Sequence, residues 1–314
     1  MHNLLSSTMF QAAKKLTQKQ AAHQISVHIF VDSTVDGALR ETIKELFIPQ
    51  SIHAQVVVRR VPQHFSAGAT ATSASTTTST AGASDPVAGT TASAEPKLHP
   101  LTADVCLVLS ARELDDVATL VSRYAKYGVP TAVVARTSVE APHAIAGAVH
   151  NTVGIVCGTD PETLTQKLAC WVVDTLDEKI SAFVQAFPFA RKEKIRQLVA
   201  NCASQNAMVG AVAFIPGADM PVITANQLRL ALDIAQLYDK PLDASRLPEL
   251  GCVVGAGVVY RGIARSLVGV LPVVGPLIKA SVGYGGTIST GRTLEAYFER
   301  TSNTSNDGDL VVDV

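Results

Sequence analysis

Five short apolar runs in the first half of the chain, separated by amphipathic or polar stretches, limit the fold more than any other feature. They are residues 25–31 (ISVHIFV), 54–61 (AQVVVRRV), 103–110 (ADVCLVLS), 131–135 (TAVVA) and 153–157 (VGIVC). Runs this apolar on both faces read as strands covered from two sides, the pattern of a mostly parallel sheet between helices. Residues 25–47 show the repeating unit: a strand, a loop at 32–36, then a helix. In that helix Leu39, Ile43 and Leu46 recur at helical spacing while Arg40, Glu41, Lys44 and Glu45 face water. Asp36 is the expected N-cap. A second helix follows the third strand, with Leu114, Val117, Val121 and Tyr124 on one face and Gly128 and Pro130 as its stop.

Beyond Gly158 the strands cease. Thr159 and Glu162 read as a capping box, with Pro161 in the first turn of a long helix. Leu164, Leu168, Trp171, Val172, Leu176, Ile180 and Phe183 line its buried side, and Pro188 ends or bends it. Residues 189–300 read as further helices interrupted by PGADMP, KPLDASRLPE and several glycines. The expected fold class is therefore α/β plus all-α. A basic amphipathic segment at 1–24 precedes an α/β domain at 25–160, an apolar helical domain at 161–300 and an acidic flexible tail at 301–314. With 314 residues, two domains each burying its own core are expected. Within the first, residues 66–98 are rich in Ser, Thr, Ala and Gly; they bury too little to offset ordering entropy and are expected to be a disordered insertion.

Charged residues make up 17% of the chain and the formal net charge is −1, so no basic surface for nucleic acid is implied. Cys106, Cys157, Cys170, Cys202 and Cys252 are scattered without metal-ligand spacing and read as apolar thiols in a reducing compartment. No apolar leader core precedes a cleavage site, and a cytoplasmic location is expected. His143 and His150 have no acidic or Cys partner nearby, so no metal is expected. The apolar runs 251–260 and 266–278 fall short of the ~18–20 residues of a spanning helix. They read as core helices or as an interfacial or re-entrant segment.

A strand, tight loop and helix in that order is where phosphate binds in α/β folds, because backbone N–H groups and the helix dipole converge there. The phosphate-loop pattern Gly-x-x-x-x-Gly-Lys-Ser/Thr, laid on residues 32–39, meets Asp32 for the first Gly, then Ser33, Thr34, Val35 and Asp36. Gly37 matches the second Gly, Ala38 stands for Lys and Leu39 for Ser/Thr. Loss of that Lys removes a charge-assisted bond of about 1.5–3 kcal/mol. The carboxylates of Asp32 and Asp36 would add like-charge repulsion on the order of a few kcal/mol at intermediate dielectric. A second glycine pattern, Gly286 to Thr293, has Arg292 in place of Lys. Its flanks look helical, so its small residues are expected to let two helices approach closely. Gly255 and Gly257 begin a dinucleotide fingerprint that Tyr260 breaks.

The order of elements resembles a Ras-like, translation-factor-type GTPase domain followed by the helical module known as domain of unknown function 697. Residues 215–240 (IPGADMPVITANQLRLALDIAQLYDK) carry the better match: the Pro-Gly-Ala-Asp-x-Pro start, a Gln in the next helix and the Ile-Ala-x-x-Tyr ending. The glycine-rich run 251–298 fits the remainder. The resemblance implies a P-loop-type sheet with helices on both faces, but its chemical positions are degenerate. Where the Mg²⁺-anchoring Asp-x-x-Gly belongs, the chain has Arg60, Val61, Pro62 and Gln63. Where guanine is read by Asn-Lys-x-Asp, it has Ala135, Arg136, Thr137 and Ser138. The expectation is a non-enzymatic, pseudo-GTPase adaptor or regulator without catalytic residues or cofactor. Residues 32–39 would be a vestigial loop, and the helical domain would bind a protein partner or a membrane face. One alternative is an active GTPase using GTP and Mg²⁺ through Gly37, Ser33, Thr34 and Arg40. Another is a membrane-inserted protein whose helices at 251–298 pack through small residues.

Overall fold

The computed structural model describes residues 24–62, 99–112, 115–141, 152–212, 220–240 and 275–307. The basic N-terminal segment, the insertion at 66–98, Leu114, His143, His150, Cys252 and nearly all of the apolar runs at 251–278 lie outside these.

All five expected strands form: β1 Ile25–Val31, β2 Ala54–Arg60, β3 Val105–Leu109, β4 Thr131–Ala135 and β5 Val153–Cys157. They make one parallel sheet in the order β2-β1-β3-β4-β5. β3 and β4 are buried along their whole length, which is why their sequences show no polar alternation. Helix α1 (Gly37–Leu46) leads from β1 to β2, and α2 (Asp115–Lys126) from β3 to β4, on the opposite side of β1. Right-handed crossovers running in opposite directions place the two helices on opposite faces. Leu39 and Ile43 of α1 therefore join Val27, Ile29, Leu107 and Val134 on one face. Val117, Leu120, Val121 and Tyr124 of α2 join Phe30, Cys106, Val108 and Val133 on the other. Gly128 ends the second unit with φ +70°, a left-handed conformation that glycine adopts without strain, and its N–H donates to Ala125 O at 2.9 Å.

A buried histidine lies on the α2 face. His28 is 1% exposed; its Nδ1 is 2.8 Å from Tyr124 Oη and its Nε2 3.4 Å from Thr102 Oγ1. Burial holds its pKa below the ordinary histidine value, and the nearby Asp104 carboxylate, itself paired with Lys179, pulls more weakly in the other direction. In the unfolded chain the imidazole takes up its proton near pH ~6.5, before the folded protein does. This contribution to stability is therefore complete above pH ~7 and falls as pH drops through and below ~6.5. Urea unfolding at pH 7.5 and pH 5.5 should show a larger acid-side loss for the wild type than for His28→Gln; an equal loss would remove His28 from the account.

Helix α3 (Pro161–Thr175) packs on the α1 face, with Leu164, Leu168 and Val172 in the core. Its cap is Asp160, whose Oδ1 accepts from Thr163 N at 2.8 Å, in place of the expected Thr159–Glu162 box. The single long helix expected from this point is two. The chain leaves helical geometry at Leu176 (φ −92°, ψ 90°), and α4 (Ile180–Ala186) starts anew. The intervening Asp177 and Glu178 are polar, and the turn re-aims Ile180 and Phe183 into the same core. After Pro188 come α5 (Arg191–Val212), α6 (Met220–Leu237) and α7 (Gly275–Asp307). Helix α7 runs past the expected start of the flexible tail. Phe298, 2% exposed, anchors that end, and the hydroxyls of Thr301 and Ser302 donate back to the carbonyls of Tyr297 and Phe298.

One apolar cluster runs without a break from Ile25 and Leu39, through Phe47, Phe183 and Phe187, to Leu294 and Phe298. The expected boundary at residues 160/161 thus crosses a shared core. Farther out, α5 and α7 come into close contact where glycine allows it. A Cβ on Gly283 would lie 2.9 Å from Asn206 O, and one on Gly291 2.4 Å from Val199 Cγ2. Gly286 to Thr293 is thus mid-helix, and its Gly291 packs against α5. A buried polar bridge ties the three helices: Asn206 Nδ2 donates to Thr287 Oγ1 at 2.9 Å, and Asn226 Nδ2 donates to Asn206 Oδ1 at 2.9 Å. Among the described residues no helix is long and apolar enough to cross a membrane.

Candidate functional site at the carboxyl edge of the sheet

In a 2-1-3-4-5 sheet the connections leave β1 and β3 in opposite directions, and ligands bind in the crevice outside the carboxyl ends of those strands. Here that edge is built from the loop 32–36 after β1, Arg60 to Pro62 after β2, Ser110 to Arg112 after β3 and Arg136 to Glu140 after β4.

The loop after β1 is closed on itself. Val35 N donates to Asp32 O at 3.2 Å, making a tight turn, and Val35 is buried. Asp32 is 4% exposed, and its carboxylate accepts from Thr34 Oγ1 at 2.5 Å, Thr34 N at 3.4 Å and Ser33 Oγ at 3.4 Å. Arg40, one turn into α1, reaches back: its Nη2 donates to Ser33 O at 3.0 Å and Val35 O at 2.6 Å. Asp36 caps α1 as expected, accepting from Ala38 N at 3.4 Å. Gly37 has open space around it and an ordinary φ, so nothing in this turn requires glycine. Leu39, at the Ser/Thr position of a phosphate loop, is buried in the core at 5% exposure.

Positive charge reaches this edge from residues that sequence spacing did not single out as a group. Arg136 Nη1 donates to Asp36 Oδ2 at 2.9 Å, an ion pair with both side chains about half exposed, worth at most about 1 kcal/mol. Glu140 accepts from Arg136 N at 2.9 Å and from Thr137 N at 3.4 Å, fixing the turn that presents that arginine. Arg59 and Arg60 end β2, and the β1–β2 register sets Arg60 beside Val31. With Arg40, Asp32 and Ser33 they line a cavity of about 710 Å³. The edge thus has carboxylates in the loop, as read from sequence, together with arginines gathered by the sheet. The signal for them was available: Arg60 and Arg136 each stand at or just after a strand end.

A second cavity, of about 950 Å³, runs along α7 past Ile288, Arg292 and Tyr297. Among the described residues no cluster of His, Cys, Asp or Glu could hold a metal ion, and none of Cys106, Cys157, Cys170 and Cys202 forms a disulfide. Fold and edge together define a doubly wound α/β sheet continued by a helical half. No family model, curated protein or solved structure matches the chain.

Proposed function

We propose that the chain is a non-enzymatic, GTPase-like adaptor or regulator acting in the cytoplasm, whose helical half engages a protein partner or a membrane face. The observation that carries this reading is the loop after β1. Its Asp32 carboxylate is occupied by Thr34 and Ser33, its carbonyls by Arg40, and the place of the metal-binding hydroxyl by the buried Leu39. Opening that loop around a triphosphate would break these bonds and set phosphate oxygens against Asp32 and Asp36. Phosphoryl transfer relies on a phosphate-loop Lys and a Ser/Thr ligand to Mg²⁺, and this chain supplies neither at the matching positions.

The docking role of the helical half is supported by its far end. The bonds joining Asn206, Asn226 and Thr287 align three helices so that Met208, Val222 and Tyr284 fall at the same end. They are 70%, 46% and 44% exposed. Calorimetric titration of the full chain with GTP and Mg²⁺ tests the non-enzymatic reading. No magnesium-dependent, guanine-selective binding is expected, and its appearance would restore an unconventional GTPase.

A further inference from the structure

The cavity between the carboxyl ends of β1 and β2 carries charge that the loop's own architecture does not explain. Its described lining residues include Arg40 and Arg60, the latter set by the β1–β2 register on the α1 face with Val31, and one carboxylate, that of Asp32. That carboxylate is 4% exposed and turned into its own loop, where Thr34 and Ser33 hydrogen-bond it. Arg40 spends only Nη2 on the Ser33 and Val35 carbonyls. These two bonds fix its guanidinium at the rim and leave Nε and Nη1 outside the loop's bonding. Arg60 ends a strand, whose pairing with β1 holds its backbone in register. The basic lining is therefore pre-organised by a turn and by a sheet, and it does not depend on one flexible side chain.

We propose that this cavity binds a small phosphate-bearing anion without a metal, through Arg40 and Arg60. A guanidinium is a planar fork of N–H donors that matches two oxygens of a tetrahedral oxyanion, and two forks at one space favour phosphate over a single carboxylate. A divalent cation drawn to Asp32 would face the positive groups of Arg40 and Arg60, so the charge selects an anion. The volume of about 710 Å³ suits a small molecule. The site lies beside the loop after β1, not inside it, and needs no opening of the Asp32–Thr34 turn. It is accordingly independent of whether GTP binds.

Titration of the full chain with inorganic pyrophosphate, in magnesium-free buffer of low ionic strength, tests the assignment. Saturable binding is expected, weakening as salt is raised because the groups are partly exposed. Arg60→Glu should weaken it about tenfold or more, and Arg60→Lys, which keeps the charge but loses the fork, by less. Arg60 is exposed, and thermal midpoints matching the wild type will certify that both variants fold. Citrate serves as a polycarboxylate of similar charge. Absence of pyrophosphate binding, retention of full affinity by Arg60→Glu, or citrate binding as tightly as pyrophosphate would each overturn the proposal. GTP binding that demands Mg²⁺ and exceeds pyrophosphate affinity would sink the non-enzymatic reading instead. The anion site would then stand or fall on the Arg60→Glu result alone.

Discussion

Phe183→Ala should lower the stability of the whole molecule by about 3–5 kcal/mol, the range for emptying a fully enclosed aromatic site. The ring is 0% exposed. Its centroid lies 6.2 Å from that of Phe47, 5.0 Å from Phe187 and 5.9 Å from Phe189. Phe47 caps α1 on the sheet, while Phe183 belongs to α4, so this cluster joins the two halves. Single domains are stable by only about 5–15 kcal/mol, and a loss of this size would be visible in any unfolding curve. The lone tryptophan makes the experiment selective. Trp171 of α3 lies across Gly154 of β5, where an added Cβ would come within 2.1 Å of Nε1, so its fluorescence reports on the joint between α3 and the sheet. Far-UV circular dichroism reports mainly on the helices. If the halves share one cooperative core, both signals should shift together in urea. A shift confined to the circular dichroism, with the tryptophan transition unmoved, would show two independent units and refute the shared core.

Gly291→Leu should have the next largest effect, about 3 kcal/mol, at the upper end of what over-packing costs. Carbon atoms prefer to sit about 3.5–4.0 Å apart. A Cβ at this position would lie 2.4 Å from Val199 Cγ2 and 2.7 Å from Cγ1. The helices would have to separate, straining the bond from Asn206 to Thr287 nearby. The smaller change gives a sharper test, because two effects oppose. In an exposed helix interior Gly→Ala gains about 0.8–1 kcal/mol. Here the clash should outweigh that gain, making Gly291→Ala destabilising alone. Val199→Ala removes both clashing methyl groups. In the Val199→Ala background, Gly291→Ala should therefore become neutral or stabilising, a coupling of about 1 kcal/mol or more in a double-mutant cycle. Additive effects would show that this glycine is not a packing requirement.

The strands were legible in the sequence because a parallel strand is covered on both faces, and an uninterrupted run such as TAVVA at 131–135 has no other comfortable place in water. Caps were legible where they are local. Asp36 acts on an amide two residues away, although the cap of α3 fell one residue later than expected, at Asp160. The break before α4 was not legible. Leu176, Ile180 and Phe183 keep helical spacing across it, and periodicity registers spacing, not backbone direction.

The candidate site divides in the same way. The sequence by itself determined that the loop after β1 holds Asp32 where a phosphate loop would hold its first glycine, that Asp36 adds a second carboxylate, and that Leu39 replaces the hydroxyl. These are properties of neighbours along the chain. Only the tertiary structure decided that Arg136 pairs with Asp36, a hundred residues away, and that Arg59 and Arg60 meet Arg40 around one cavity. It also decided that the glycines of α7 face α5. The reason is that the charge at the edge of a parallel sheet is the sum over strand ends distant in sequence, and their adjacency is set by strand order and register.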